Sequence, residues 1–271
     1  LVVLGAVFIF LNNTAVAPGP SLNGTSSPIL TPTSEVSKLL NIQVTSPTAN
    51  AVVGNPITVT GQARTFEGAF VYLLKDSSGK IWFQATGQAG APDENNDYWR
   101  AFSVKIPIPI GTPTNLIIEL FEYSAKDGSI INLVDVPIRL SGQQTATIKV
   151  YLINRSQSSN DVCDSVTPVT RIILKTQETA YISLYELLRG PIGSEAEPYQ
   201  TSIPKGVKIN SVKIVNSVAY ADFDSTLDYQ VGGSCRVTSI RSQITNTLKQ
   251  FSSIKSVVIS VDGQVDDALQ P

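Results

Sequence analysis

The sequence predicts an all-β sandwich over residues 40–141 followed by an α+β domain over residues 146–263, with two helices packed on one mixed sheet. Three observations carry this expectation. Residues 40–140 alternate short apolar runs with turn residues about every ten positions and show no helical period. Beyond residue 146, strand-like runs interleave with two helical segments, one of which repeats its apolar residues three and four positions apart. Of the 271 residues, 42% are hydrophobic and only 15% charged, enough for two domains with their own buried cores.

Residues 1–11 are uniformly apolar, and the first charge is Glu35. As a helix they would rise about 16 Å, half a bilayer core, and they read as the remaining part of a membrane anchor or signal h-region. Ala15-Val16-Ala17 has the small residues of a cleavage site, but Pro18 directly after it favours an uncleaved anchor. Residues 12–37 are rich in Pro, Ser, Thr, Gly and Asn and read as an extended tether. An apolar start, a polar tether and a globular body describe an extracytoplasmic protein attached to the cytoplasmic membrane, or secreted if the segment is cleaved.

Within the sandwich, Ile57-Thr58-Val59-Thr60 alternates as a half-buried strand should. Residues 70–74 and 116–123 are β-branched or aromatic runs, and Val134, Val136, Ile138 and Leu140 share one face opposite Asp135 and Arg139. Ser77-Ser78-Gly79, Gly111-Thr112-Pro113 and Lys126-Asp127-Gly128 supply the turns. About seven antiparallel strands result, with Trp82 and Trp99 expected to help fill the core. In the second domain, strands at 148–153 and 166–174 precede a helix over about 178–189 that Gly190-Pro191 stops. Strands at 207–215 and 218–223 follow. A second helix carries Val237, Ile240, Ile244, Leu248 and Phe251 on one face, and Val257, Ile259 and Val261 face one way in the last strand. The order is β-β-α-β-β-α-β, with residues 264–271 as a tail.

Composition removes several functions. Lys+Arg 20 against Asp+Glu 22 leaves no basic field for nucleic acid. The absence of His removes Ser-His-Asp triads, Cys-His dyads and His-based metal sites. Two Cys are too few for a thiolate cluster but enough for one disulfide.

The second domain carries a recognisable set of motifs. These are Leu187-Leu188-Arg189-Gly190-Pro191, Glu195, Thr201-Ser202-Ile203-Pro204-Lys205-Gly206, Ala219-Tyr220-Ala221-Asp222-Phe223, Gly232-Gly233-Ser234 and Thr247-Leu248-Lys249-Gln250-Phe251. Together they resemble the GerMN domain of sporulation and spore-germination proteins. Val44-Thr45-Ser46-Pro47, the run from Pro56 to Ala63 and Phe66-Glu67-Gly68 make the first domain similar to the immunoglobulin-like domain that accompanies GerMN. The resemblance implies a non-enzymatic, membrane-attached pair working in envelope assemblies, through an envelope protein or through self-association. The second domain, farthest from the anchor, is expected to be the interaction unit and the sandwich a spacer, against the alternative that both domains are inert stalks and the anchor region recruits the partner.

Carboxylates are the remaining catalytic candidates, and a glycosidase needs two across a sugar cleft. Glu119 and Glu122 point to opposite faces of one strand. Asp93, Glu94 and Asp97 precede Tyr98-Trp99 in a loop that reads as a solvated turn. Asp222, Asp224 and Asp228 lack the spacing of a calcium loop, and Asp222 is expected to brace the turn toward Gly232-Gly233. Gly232-Gly233-Ser234 reads as a tight turn with Ser234 as N-cap, against the alternative of an anion nest. Glu195 with Thr201 is the surface feature that family analogy singles out. No catalytic residue, cofactor or metal is expected. The alternatives are a peptidoglycan- or sugar-binding module, with Tyr98 and Tyr199 as its loop aromatics, and a carboxylate-based cell-wall glycosidase using Glu195 or the Asp93–Asp97 acids. For an exported chain, Cys163 and Cys235 are expected to form a disulfide, against the alternative of two buried thiols.

Overall fold

Alternation and turn chemistry build the first half as expected, with one addition. In the computed structural model, which describes residues 40–142, 144–156, 163, 165–265 and 268–269, the first half forms eight strands. These are β1 (Ile42–Ser46), β2 (Ala51–Val53), β3 (Ile57–Ala63), β4 (Ala69–Lys75), β5 (Ile81–Gln88), β6 (Arg100–Ile106), β7 (Asn115–Tyr123) and β8 (Ile130–Leu140). Sheet β1-β3-β6 faces sheet β2-β8-β7-β4-β5. The extra strand β2 pairs parallel to β8, so the sandwich is not wholly antiparallel. Val59, Leu74, Ile106, Ile118 and Leu120 meet in the core without solvent contact. Gly87 has a steric reason to be glycine: a Cβ there would lie 2.4 Å from Cζ of Phe70, whose ring packs at a tilt of 48° against Phe102, with the centroids 4.7 Å apart. Trp82 packs against this core, whereas Trp99 lies under the Arg64 guanidinium at 5.2 Å, outside it.

The second half contains β9 (Thr145–Asn154), β10 (Thr167–Leu174), α1 (Thr179–Leu188), β11 (Tyr199–Gln200), β12 (Ile209–Val215), β13 (Val218–Phe223), α2 (Ser234–Lys249) and β14 (Ser256–Val261). Its strands form two three-stranded sheets, β10-β9-β11 and β12-β13-β14, where one mixed sheet was expected. Asn216 and Ser217, both at positive φ, close the two-residue turn between β12 and β13. The α2 crossover returns the chain parallel to β13 as β14. Ile240, Ile244 and Leu248 of α2 bury against Leu184 and Leu187 of α1, with Val150, Leu152 and Phe223 in the same core. Leu269, in the segment read as a tail, joins this core.

The described residues form a single compact unit, and the junction between its halves is built from specific contacts. Leu174, the last residue of β10, is buried in the sandwich core. Asn55 donates to the Leu174 carbonyl at 3.3 Å and accepts from Ile108 N–H at 2.9 Å, while its own carbonyl takes the Thr176 hydroxyl. Lys105 pairs with Glu178 and lies 4.8 Å over the Tyr181 ring, and Phe83 meets Tyr185 at 6.3 Å. The anchor and tether expectations for residues 1–37 lie outside the described residues. Among the described residues, no helix is long and apolar enough to cross a membrane.

Candidate functional site

The densest polar arrangement surrounds Arg171, which sequence reasoning did not single out. Alternation along β10 puts Val169, Arg171 and Ile173 on the core-facing side, so a guanidinium enters the protein where an aliphatic residue is the norm. It is buried at 5% exposure and fully committed. Its nitrogens reach the Glu186 carbonyl and carboxylate, the Gly190 carbonyl at 2.6 Å and both oxygens of Glu195. Glu186 also accepts from Arg189 at 2.8 and 3.0 Å, and Glu195 accepts from the Ile192 N–H at 3.0 Å. Two guanidinium groups thus balance two carboxylates. Burial pushes the Glu195 carboxyl up, but the hydrogen bonds from Arg171 and Ile192 and the two guanidinium charges outweigh it and hold it below the usual carboxylate range.

This cluster organises the Gly-Pro loop. Helix α1 ends at Leu188, and Gly190, at φ +65°, donates to the Leu187 carbonyl at 2.9 Å. Pro191 then leads out toward Glu195, which folds back on Arg171. Thr201, paired with Glu195 in the sequence reading, lies near Gly190 but bonds Gln243 of α2 at 3.2 Å. Ile203 is buried between Thr201 and Pro204, and Gly206 turns the chain at φ +92° toward β12. Beside the cluster, Pro107, Pro109 and Ile110 of the sandwich and Ile172, Glu186 and Arg189 of the second half line a cleft of about 450 Å³.

The remaining sequence candidates scatter. Asp222 accepts from Ser260 at 2.6 Å, Gly263 N–H at 2.8 Å and Asn210 at 3.0 Å. It braces the turn after β14, not Gly232-Gly233. Burial raises its pKa, but these hydrogen bonds prevail and lower it. Asp224 holds Lys208 N–H and Asp228 holds Leu269 N–H, so the three aspartates serve different turns. The N-cap of α2 is Gly233, at φ +86°, and Ser234 is the first helical residue, so the expected Ser234 cap is corrected. Gly232, Gly233 and Ser234 are all exposed. Cys235, in the first turn of α2, is disulfide-bonded to Cys163 with the Cα atoms 4.9 Å apart. Tyr199 belongs to β11 and packs against the second core, so it is not a loop aromatic, whereas Tyr98 is 60% exposed. Glu119 pairs with Lys75, while Glu122 accepts from Phe66 N–H and Asn132. Asp93 caps Asn95 N–H at 3.0 Å, and Asp97 pairs with Arg64.

Residues 149–267 match the Germane family, described as sporulation and spore germination. Residues 41–129 match the Gmad2 family, the immunoglobulin-like domain of bacterial spore germination. Among solved structures, the first GerMN domain of the sporulation protein GerM from Bacillus subtilis is 23% identical, over 46% of this chain and 92% of that one, with a TM-score of 0.36. The tandem GerMN domains of the same protein are 21% identical over 47% of this chain, which spans 43% of the tandem structure, with a TM-score of 0.36. A putative lipoprotein from Clostridium perfringens is 18% identical over 46% of this chain and 80% of that one, with a TM-score of 0.31. No curated protein matches the chain. With the two families matching its two halves in order, the chain carries an immunoglobulin-like domain of the bacterial spore-germination kind over residues 41–129, followed by a GerMN domain of the sporulation and spore-germination kind over residues 149–267.

Proposed function

We propose that this protein is a non-catalytic scaffold or interaction module in a cell-envelope assembly of the sporulation or germination type, tethered outside the cytoplasmic membrane by its N-terminal segment. The observation that carries the non-catalytic reading is the state of Glu195. A glycosidase acid must hold a proton near neutral pH, and Glu195 is held ionised against Arg171. Its carboxylate is engaged in fixing the Gly-Pro loop. The Cys163–Cys235 disulfide supports an extracytoplasmic location, where such bonds form and persist.

The free edge of β10 supports an interaction role for the GerMN half. Thr170 pairs with Lys149 of β9, whose N–H and carbonyl both turn away from β10 to bond Gln250 of α2. Antiparallel geometry therefore turns the N–H and carbonyl of Thr170 outward, and those of Ile172 likewise. Such an edge accepts an added strand. Incubation with peptidoglycan and analysis of released fragments tests the reading: no turnover is expected, and turnover lost in Glu195→Gln would overturn it. Exposed Tyr98 favours the second reading, a peptidoglycan-binding module. Retention on insoluble cell wall, blocked by soluble glycan, would raise that reading above the scaffold.

A further inference from the structure

Six of the fifteen exposed large apolar side chains among the described residues gather at one end of the sandwich: Phe66, Tyr98, Tyr123, Ile130, Ile131 and Leu133. A hydrogen-bonded knot holds them together. Glu122 accepts from Phe66 N–H at 3.3 Å and from Asn132, and Asn132 in turn accepts from Asn41 N–H at 3.2 Å. Tyr123 pairs with Ile130 across the β7–β8 hairpin and stacks edge-on against buried Phe121 at 5.2 Å. Arg64 ties Asn41 to Asp97, the residue before Tyr98. Several of these positions are backbone-determined: Glu67, Asp97, Tyr98 and Asn132 all stand at positive φ.

The charge around this patch is one-sided. Among the described residues of the loops and strand ends that carry it, Glu67, Asp93, Glu94, Asp97, Glu122 and Asp127 stand with Arg64, Arg100 and Lys126, a local charge of −3 in a chain whose total is −2. A monomer seldom leaves apolar side chains clustered in this way unless they meet a partner. The charge selects among partners: a second copy would bring −3 against −3, and an anionic bilayer would repel the same rim. We propose that this end of the immunoglobulin-like domain is a docking surface for a cationic, apolar-faced segment of another envelope protein. The surface extends the interaction role to the half that the sequence reading treated as a spacer. It does not depend on the free edge of β10.

The test uses the full, disulfide-bonded chain and a labelled amphipathic helix of leucine and lysine as probe, with a leucine–glutamate helix of the same length as its counterpart. The lysine peptide is expected to bind, more weakly at high salt, and the glutamate peptide not to bind. Tyr123→Ser with Ile130→Ser, both at exposed positions, weakens binding about tenfold, and Glu67→Lys with Asp127→Lys does the same while leaving the apolar centre intact. Ile214→Ser, on an exposed strand of the other half, leaves it unchanged. Equal binding of the two peptides, or binding that both double variants leave intact, overturns the proposal. So does self-association or adhesion to lipid vesicles that the Tyr123→Ser/Ile130→Ser variant abolishes, since the patch would then serve a second copy or a bilayer. Peptidoglycan turnover, by contrast, would sink the scaffold reading and leave this surface standing.

Discussion

Gln243 of α2 donates to the Tyr151 carbonyl of β9 at 3.2 Å, and Thr247, one turn on, accepts the Tyr151 N–H at 3.1 Å. Gln250 treats both backbone groups of Lys149 in the same way, at 2.8 and 2.7 Å. A row of helix side chains therefore completes the hydrogen bonding of β9 where a neighbouring strand would otherwise lie. This is the physical reason the GerMN half has two small sheets: along Lys149–Tyr151 the side of β9 away from β10 is closed by a helix, and β11 pairs only with Ile153 and Asn154, so that side is protected from pairing with other chains.

Gln243 is fully buried and also accepts from Ser202 N–H at 2.9 Å, so Gln243→Leu leaves two backbone groups and the Thr201 hydroxyl without this partner. The expected loss is about 2–4 kcal/mol, from several unsatisfied buried groups at about 1–3 kcal/mol each. Thr247→Val removes one partner and costs about 1–2 kcal/mol. Urea unfolding checks both, with an unchanged denaturant slope expected.

Arg171→Met removes the cation that Glu186 and Glu195 share, leaving Glu195 without an ion-pair partner and Glu186 with Arg189 alone. Removing one partner of a buried ionic cluster costs about 3–5 kcal/mol. Arg171→Lys recovers only part of this, because an ammonium cannot fork to Gly190, Glu186 and Glu195 together. Thermal unfolding of both variants is the measurement.

Acid weakens the same cluster in a stated direction. The folded-state pKa of Glu195 lies below its ordinary 4.5. Its stabilising contribution is thus complete above pH 4.5 and disappears as pH falls through the folded value. Unfolding midpoints measured against pH should fall more steeply below pH 4.5 in the wild type than in Glu195→Gln.

Alkali acts on the junction. Burial, followed by the charge of Tyr185, pushes Tyr72 up to about 12, and burial raises Tyr181 and Tyr185 as well. A folded pKa above the ordinary 10.0 means that stability is complete below pH 10 and is lost as pH rises through the folded value. Absorbance titration should show these tyrosines ionising only with unfolding.

The disulfide spans 72 residues, a loop whose closure is worth about 4 kcal/mol in the chain-entropy model. Denatured, unreduced protein should show no free thiol. Cys163→Ser with Cys235→Ser should lower the melting temperature, as should reduction.

Where a periodic pattern met a single burial surface, the sequence was readable. Val237, Ile240, Ile244 and Leu248 lie on the buried side of α2, and Val136, Ile138 and Leu140 line the sandwich core. Strand β2 escaped because three residues carry no period and its pairing with β8 is non-local. Tyr199 looked like a loop residue because β11 is only two residues long. Arg171 left a signal that went unused: a lone cation on the core-facing register of an apolar strand. Its partners lie 15 to 24 residues away, at the end of a helix and in the following loop, and only the folded chain brings them together. The same holds for Gln243 and Thr247, polar residues on the buried face of α2 whose partners are backbone groups of a distant strand.

In-cell photocrosslinking from exposed positions of the GerMN half, Ile172 first, tests the scaffold account most directly. The account predicts adducts with a defined envelope protein through residues 146–262. Adducts that form through the sandwich or the N-terminal segment, but never through residues 146–262, would contradict it.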